Sequence, residues 1–184
     1  MTDPTLPTTT LDERCLIFRE HWKSLRGSGL VPTLENFLDH PEPAYAPYLF
    51  IIDVTPEGLR VRLQGTVLVE RWARDYTGTT LFLKKSPEFR KASSHNFTAM
   101  SAHPCALYMV DEFVSTNARL SKACTILLPL ATRIGRAPAV VGYSHEMDAL
   151  RTDEKFITKC NTRSAVWLDL GTGVPPQPPE LPRD

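Results

Sequence analysis

Residues Leu59 to Leu81, LRVRLQGTVLVERWARDYTGTTL, change their periodicity within a few positions and so restrict the fold more than any other stretch of the chain. Leu59, Val61 and Leu63 alternate with Arg60, Arg62 and Gln64, the period-two pattern of a strand wetted on one face. That strand ends at Gly65. The Thr66 hydroxyl is then suited to cap a short helix carrying Val67, Leu68, Glu70, Arg71 and Trp72, which stops near Asp75. Asp75-Tyr76-Thr77-Gly78 reads as a turn.

Upstream, Thr10-Leu11-Asp12-Glu13 can form a capping box and start a helix. Leu11, Cys15, Phe18, Trp22 and Leu25 recur at spacings of four and three, and Gly27 or Gly29 supplies the stop. This seam covers about two heptads, fewer than a coiled coil needs by itself. It suits either a helix lying on the domain's own sheet or a homodimer interface through Cys15, Phe18, Trp22 and Leu25. Val31 to Pro47 is loop-like with one helical turn at Leu34 to Leu38, and Tyr48 to Val54 is a central strand that Pro56-Glu57-Gly58 turns into a hairpin with Leu59 onward.

Downstream, Ser86-Pro87 provides a cap and a first-turn proline. Phe89, Ala92, Ser93, Phe97 and Met100 mark one face of a helix that ends before His103-Pro104. Ala106 to Ser115, Leu120 to Leu130 and Ala137 to Ser144 are strand-like and spaced for two consecutive hairpins. Glu146 to Asn161 suits a helix and Ser164 to Leu170 a short strand. The residues from Gly171 are proline-rich and, like residues 1–10, are expected to be disordered.

A chain of 184 residues suits one domain. Lys plus Arg and Asp plus Glu number 21 each, so no charge excess points to nucleic acid or an anionic membrane surface. The four cysteines, Cys15, Cys105, Cys124 and Cys160, contain no CxxC pair; their spacing supports neither a zinc knuckle nor a redox motif, and they read as buried thiols in a reducing cytosol. Met1 to Thr10 lacks the apolar core of a signal peptide, and no apolar run approaches the roughly 20 residues of a membrane span. The expectation is a soluble, cytoplasmic protein.

Arg62-Leu63-Gln64-Gly65-Thr66 followed by Arg74-Asp75-Tyr76-Thr77-Gly78 resembles a motif of short bacterial single-domain PAS-family proteins. Phe18 to Arg26 resembles that family's first helix, Pro47 to Val54 its first strand, and Leu127-Leu128-Pro129-Leu130 with Val140-Val141-Gly142 its last two strands, so the likeness runs from about Asp12 to Tyr143. It implies an α+β PAS-like fold, a five-stranded antiparallel sheet with helices on one face and an N-terminal helix. The corresponding divisions are a capping or dimerisation helix at 11–29, the PAS-like domain at 30–145, an extension at 146–170 and a tail at 171–184. It also implies a sensory or regulatory module of signal transduction, without catalysis, that binds a small molecule or a protein partner. It leaves the ligand and any cofactor unspecified. The loop Ala131 to Pro138 is more basic than that family's pattern, and no kinase, cyclase or DNA-binding segment follows, so a signal would pass through a partner or a dimer rearrangement.

Enzyme signatures are sparse. No P-loop, GxSxG or HExxH occurs, and Gly27-Ser28-Gly29 follows a helix rather than a strand. His103-Pro104-Cys105 lacks the orienting third group of an activated nucleophile, and His95 and His103 each stand alone as candidate haem or metal ligands. The carboxylates of Asp111 and Glu112 point to opposite faces of a strand. A PAS-like sheet curled around its helices can leave a cavity. Its helix-side candidates are Val67, Trp72, Tyr76 and Phe97, and its sheet-side candidates Tyr108, Val110, Ile126, Leu128 and Val141. Arg60 or Arg62, if inward, would anchor an anionic ligand such as a carboxylate. The same residues also suit a fully packed core, giving an interaction-only module. A small α+β enzyme using Tyr76, Asp75 or His103 as acid and base groups is the remaining alternative.

Overall fold

The structure is a computed structural model that describes residues 11–116, 120–147 and 157–183. β1 (Leu49–Thr55) and β2 (Gly58–Gln64) form the first hairpin, closed at Gly58, whose φ of +128° is costly for any residue with a side chain. β3 (Ala106–Ser115), β4 (Leu120–Leu130) and β5 (Ala139–Glu146) make the two hairpins that the strand spacing predicts. β5 then pairs with β1, and the sheet runs β2-β1-β5-β4-β3-β6. All of its neighbouring strands are antiparallel. The connection from β2 to β3 crosses the sheet and carries α3 (Thr66–Trp72) and α4 (Pro87–Ala102).

The sixth strand, β6 (Ile157–Leu168), corrects the five-stranded expectation. It pairs along β3 from Ala106↔Leu168 to Ser115↔Ile157 and occupies backbone groups that an open edge would leave unpaired. The helix expected over Glu146 to Asn161 is replaced by β5 at Glu146 and by β6 from Ile157; residues 148–156 lie outside the described residues. Thr158, Thr162, Val166 and Trp167 are β-formers, and tertiary pairing decides the state.

Both faces of the sheet are covered. On one face α1 (Glu13–Ser24) and α2 (Leu34–Asp39) pack on Ile51, Tyr108, Cys124, Ile126, Leu128, Val141 and Tyr143. On the other, α4 presents Phe97 and Met100 to Ile52, Leu107, Leu127 and Val140. α1 starts at Asp12 rather than Thr10, the Asp12 carboxylate accepting from Arg14 N–H at 2.8 Å. α3 is capped by Gly65 rather than Thr66, and α4 by Ser86 with Pro87 in its first turn, as predicted. A Cβ at Gly65 would lie 2.4 Å from the carbonyl oxygens of Ala46 and Pro47, so the strand-to-helix corner needs a residue without one.

The apolar seam of α1 therefore faces the chain's own sheet. Cys15, Phe18 and Trp22 are each 0% exposed, Leu25 packs against the same cluster, Phe18 stacks on Tyr143 at 5.0 Å, and Trp22 Nε1–H donates to Pro129 O at 3.1 Å. The expected dimer interface of Cys15, Phe18, Trp22 and Leu25 is corrected accordingly: this surface is used within one chain.

The tail also departs from expectation. Rather than being disordered, residues 171–183 fold back along α4 and β6. Asn96, 2% exposed, uses both ends of its amide on one backbone residue, donating to Glu180 O at 2.8 Å and accepting from Glu180 N–H at 2.9 Å. Trp167 Nε1–H donates to Gln177 O at 2.9 Å, and Thr162 N–H to Pro182 O at 3.2 Å. A proline-rich segment is pre-extended and loses little conformational freedom on docking, so a few side-chain bonds suffice to hold it.

Because α1 sets Cys15, Phe18 and Trp22 into one interior, truncating its aromatic should cost folding rather than association. Trp22→Ala is expected to lose about 3–5 kcal/mol in urea unfolding, and Phe18→Asp to abolish cooperative unfolding. A folded, monomeric Phe18→Asp chain would contradict this placement.

Candidate functional site

Between the sheet and the α3–α4 connection lies a cavity of about 550 Å³. Its sheet wall is made by alternate residues: Phe50 and Ile52 on β1, Leu107, Met109, Asp111 and Phe113 on β3, Thr125 and Leu127 on β4, and Ser144 on β5. Leu68, Arg71, Trp72 and Tyr76 line the side formed by α3 and the turn after it; Phe89, Ser93 and Phe97 line the α4 side, and Pro182 brings the tail to its rim. A second cleft of about 480 Å³, lined by Phe18, Phe37, Tyr45 and Leu63 among others, lies against α1 and α2. The first combines a large apolar wall with a group of convergent polar side chains, the composition of a ligand site.

Arg71 organises that polar group. It is 7% exposed, with Nε donating to Glu146 Oε1 at 2.5 Å, Nη1 to Ser144 Oγ at 2.9 Å and Nη2 to Ser144 O at 3.2 Å, while its guanidinium lies 5.6 Å from the Phe113 ring centroid. The Thr125 hydroxyl donates to Ser144 Oγ at 2.9 Å. Nearby, Asp111 accepts from the Thr162 hydroxyl at 2.8 Å. This contact depends on a bulge: the β3–β6 register shifts between Val110 and Asp111, setting Thr162 opposite Asp111 where an unbroken ladder would set Arg163. Burial pushes the Asp111 carboxyl above its ordinary range, against the Thr162 bond, the Arg71 charge and the Thr125 hydroxyl. Phe50 lies directly across from Gly142, and a Cβ there would sit 2.1 Å from the Phe50 ring, so the ring's place in the cavity wall depends on a glycine.

The sequence-predicted site divides between cavity and elsewhere. Trp72, Tyr76 and Phe97 line the cavity. Tyr108 and Leu128 do not: both are 0% exposed in the cluster under α1, with Val110, Ile126 and Val141 on that same side. The expected sheet wall is off by one residue. Arg60 and Arg62 point outward. A second bulge pairs Ile51 with Leu63 and Ile52 with Val61, leaving Arg62 as the extra residue, and Arg62 pairs with Asp53 at 2.9 Å on the surface. The inward arginine is instead Arg71, whose position in the short helix carries no outward sign of burial. The acid and base candidates are not gathered. Tyr76 lines the cavity, Asp75 is exposed and caps its own turn through Thr77 N–H, and His103 ends α4 away from the cavity lining.

A second group of chemically active side chains sits across the sheet, beneath α1. Cys15 on α1, Cys124 on β4, His145 on β5 and the capping Asp12 bring their donor atoms within 4.8 Å of one another. Cys15 Sγ is 3.4 Å from Cys124 Sγ, Cys124 Sγ 2.9 Å from His145 Nε2, and His145 Nε2 2.8 Å from Asp12 Oδ1. The Cys15 thiol bond, with His145 beside it, draws Cys124 down despite burial, while the Cys15 thiol itself is held up. Burial opposes charge on His145, but its contacts with Cys124 and Asp12 outweigh it and raise the ring to about 9. The spacing of the cysteines gives no hint of this group, because Cys15 and Cys124 meet only when α1 lies across the β4–β5 hairpin.

No protein-family profile matches the chain, and no curated protein sequence does. Among solved structures the chain is similar to the crystal structure of a Rhodobacter sphaeroides LOV protein, with 16% identity over 78% of this chain and 71% of that one and a TM-score of 0.41. Among the described residues, no helix is long and apolar enough to cross a membrane.

Asp111 offers a pH test of this geometry. Its folded-state pKa lies above the unfolded carboxylate value, so the stability it contributes is full below that value and is lost as pH rises through the folded pKa. Asp111→Asn should therefore stabilise the chain relative to wild type at pH 7 to 8, with the advantage shrinking as pH falls toward about 4. Thermal unfolding of both chains across that range checks the sign; an advantage that grew toward acid would place Asp111 in a stabilising ion pair instead.

Proposed function

We propose that the chain is a PAS-type sensory or regulatory domain that holds a small molecule in the cavity between the sheet and α3–α4. The observation that carries this reading is a cavity of about 550 Å³ whose apolar wall surrounds one polar cluster. The ligand it fits has an apolar body, set among Phe50, Leu107, Met109, Leu127 and Phe97, and a hydrogen-bonding end directed at Arg71, Ser144 and Asp111. Arg71 already has Glu146 as counter-ion, so the ligand's polar end competes for guanidinium hydrogens rather than neutralising a bare charge.

The route outward follows β5. Ser144 and Glu146 contact Arg71, and His145 between them faces the other side of the sheet, where it meets Asp12 at the start of α1. A ligand that draws Arg71 away from Ser144 or Glu146 changes the setting of His145, and with it the packing of α1 on the sheet. The signal is a population shift between two such packings, set by the ligand's differential affinity. Its output passes to a protein partner.

Native and denaturing mass spectrometry of protein purified from its own host tests the reading. A stoichiometric small mass released on unfolding is expected, together with its loss in Leu127→Trp, which fills the cavity. No released mass from wild type, with Leu127→Trp more stable than wild type, would replace the sensor with an interaction module around an under-packed core.

A further inference from the structure

The group under α1 has a pairing problem that its own protons solve poorly. His145 Nδ1 lies 2.9 Å from the Glu146 carbonyl oxygen, which can only accept, and 3.3 Å from Arg14 Nη1, which can only donate; the shorter contact favours a proton on Nδ1. In a neutral ring Nε2 is then a bare lone pair, yet it lies 2.9 Å from the Cys124 sulfur and 2.8 Å from an Asp12 carboxylate oxygen. Three electron-rich atoms face one another, with the Cys15 sulfur 3.4 Å beyond Cys124. A shared proton or a cation must stand among them. An extra proton on Nε2 can point well at only one of its two neighbours, whereas a tetrahedral cation serves all four donors at once.

We propose that Asp12, Cys15, Cys124 and His145 form a binding site for a thiophilic divalent cation of the zinc class, which fastens the start of α1 to the β4–β5 hairpin. Two sulfurs, an imidazole nitrogen and a carboxylate oxygen are a tetrahedral zinc donor set, and thiolates disfavour magnesium and calcium. The surroundings are those of a structural site. Cys15 and Cys124 are 0% and His145 2% exposed, and Asp12, with a side chain 22% exposed, forms the outer edge of the site. Outer contacts fix the two ligands that are not cysteines: the Glu146 carbonyl holds His145 Nδ1, Arg14 N–H holds the Asp12 carboxylate at 2.8 Å, and the Tyr108 hydroxyl accepts from Asp12 N–H at 3.2 Å. The Arg14 guanidinium, 3.3 Å from His145 Nδ1, offsets the negative charge left when two thiolates and a carboxylate surround a divalent ion.

On binding, the protons on the two cysteine sulfurs and on His145 Nε2 leave to solvent, and four metal–ligand bonds replace their hydrogen bonds. Metal–sulfur bonds of about 2.3 Å and metal–nitrogen bonds of about 2.0 Å spread the three short contacts by about half an ångström and draw the widest donor pair, now within 4.8 Å, together by about an ångström, through a shift of α1 against the sheet. The site is separate from the cavity, and its existence does not depend on the sensory reading.

Cobalt(II) is the probe. The full chain, purified reduced, stripped with a chelator and titrated with cobalt, should take one equivalent, show the visible bands of tetrahedral thiolate-bound cobalt, and lose them to zinc. Asp12→Asn keeps a good helix cap while removing the anionic ligand, and Cys124→Ser removes a sulfur; each should weaken binding more than about tenfold with the circular dichroism of the fold retained. Cobalt that stays octahedral with the reduced wild-type chain, or bands unchanged in Cys124→Ser, would overturn the site. So would a chain that binds no cobalt when reduced and forms a Cys15–Cys124 disulfide in air, which would make the pair redox-active instead. Should a variant fail to fold, the wild-type titration decides alone.

Discussion

The strict alternation of side chains along a sheet covered on both faces is the constraint on which this structure depends. Every strand residue in the centre serves one of two interiors, and its neighbour serves the other. β5 shows the consequence most fully. Val140 and Ser144 face the cavity side, Val141, Tyr143 and His145 face α1, and seven of its eight residues, Ala139 to His145, are buried. A strand of this kind cannot slip by one residue without exchanging the contents of both interiors, so its register is held from two sides. The same rigidity makes it a connector: what moves Ser144 or Glu146 moves His145.

Much of the fold was legible in the sequence. The two early strands, the Gly65 corner, α4 with its Ser86-Pro87 start and its Phe89, Ala92, Ser93, Phe97 and Met100 face, and three later strands all follow from local periodicity, because each is a single-period segment bounded by turn residues. Parity was not legible. β4 is buried almost throughout, from Ala123 to Leu130, and a strand apolar on both sides carries no mark of which side meets the cavity. Leu128 on β4, and Tyr108 in the equally buried start of β3, therefore read as cavity residues from the sequence but serve the other interior. Arg60 and Arg62 had an equally local ambiguity, resolved only by a bulge that depends on the partner strand.

The site residues that sequence reasoning missed share a cause. Arg71, Asp111, Thr162 and His145 acquire their roles from partners far along the chain: Glu146, Arg71, Asp111 and Asp12. A motif scan detects donors at short, fixed spacings, and Cys15 and Cys124 have none. The sequence signal that existed was indirect. An acid at the centre of a strand that pairs on both edges, as Asp111 is, needs a buried partner and can be flagged before that partner is known, whereas Arg71, beside Glu70 in the last turn of α3, carries no such mark.

The two buried polar groups differ in how completely their members satisfy one another, and this separates their roles. Arg71 has Glu146 and Ser144, so the cavity-side group is closed on itself and its disturbance requires a competitor of comparable hydrogen-bonding power. Asp111 is less fully provided for, with burial the dominant influence on its proton. Beneath α1 four donor atoms converge, joined in pairs by their own hydrogen bonds. A network closed around a single counter-ion stores a defined resting position, whereas converging donors can be gathered further by an added cation. The sheet thus places a closed polar group and a cluster of metal-donor atoms back to back, with the backbone of β5 as their shared wall.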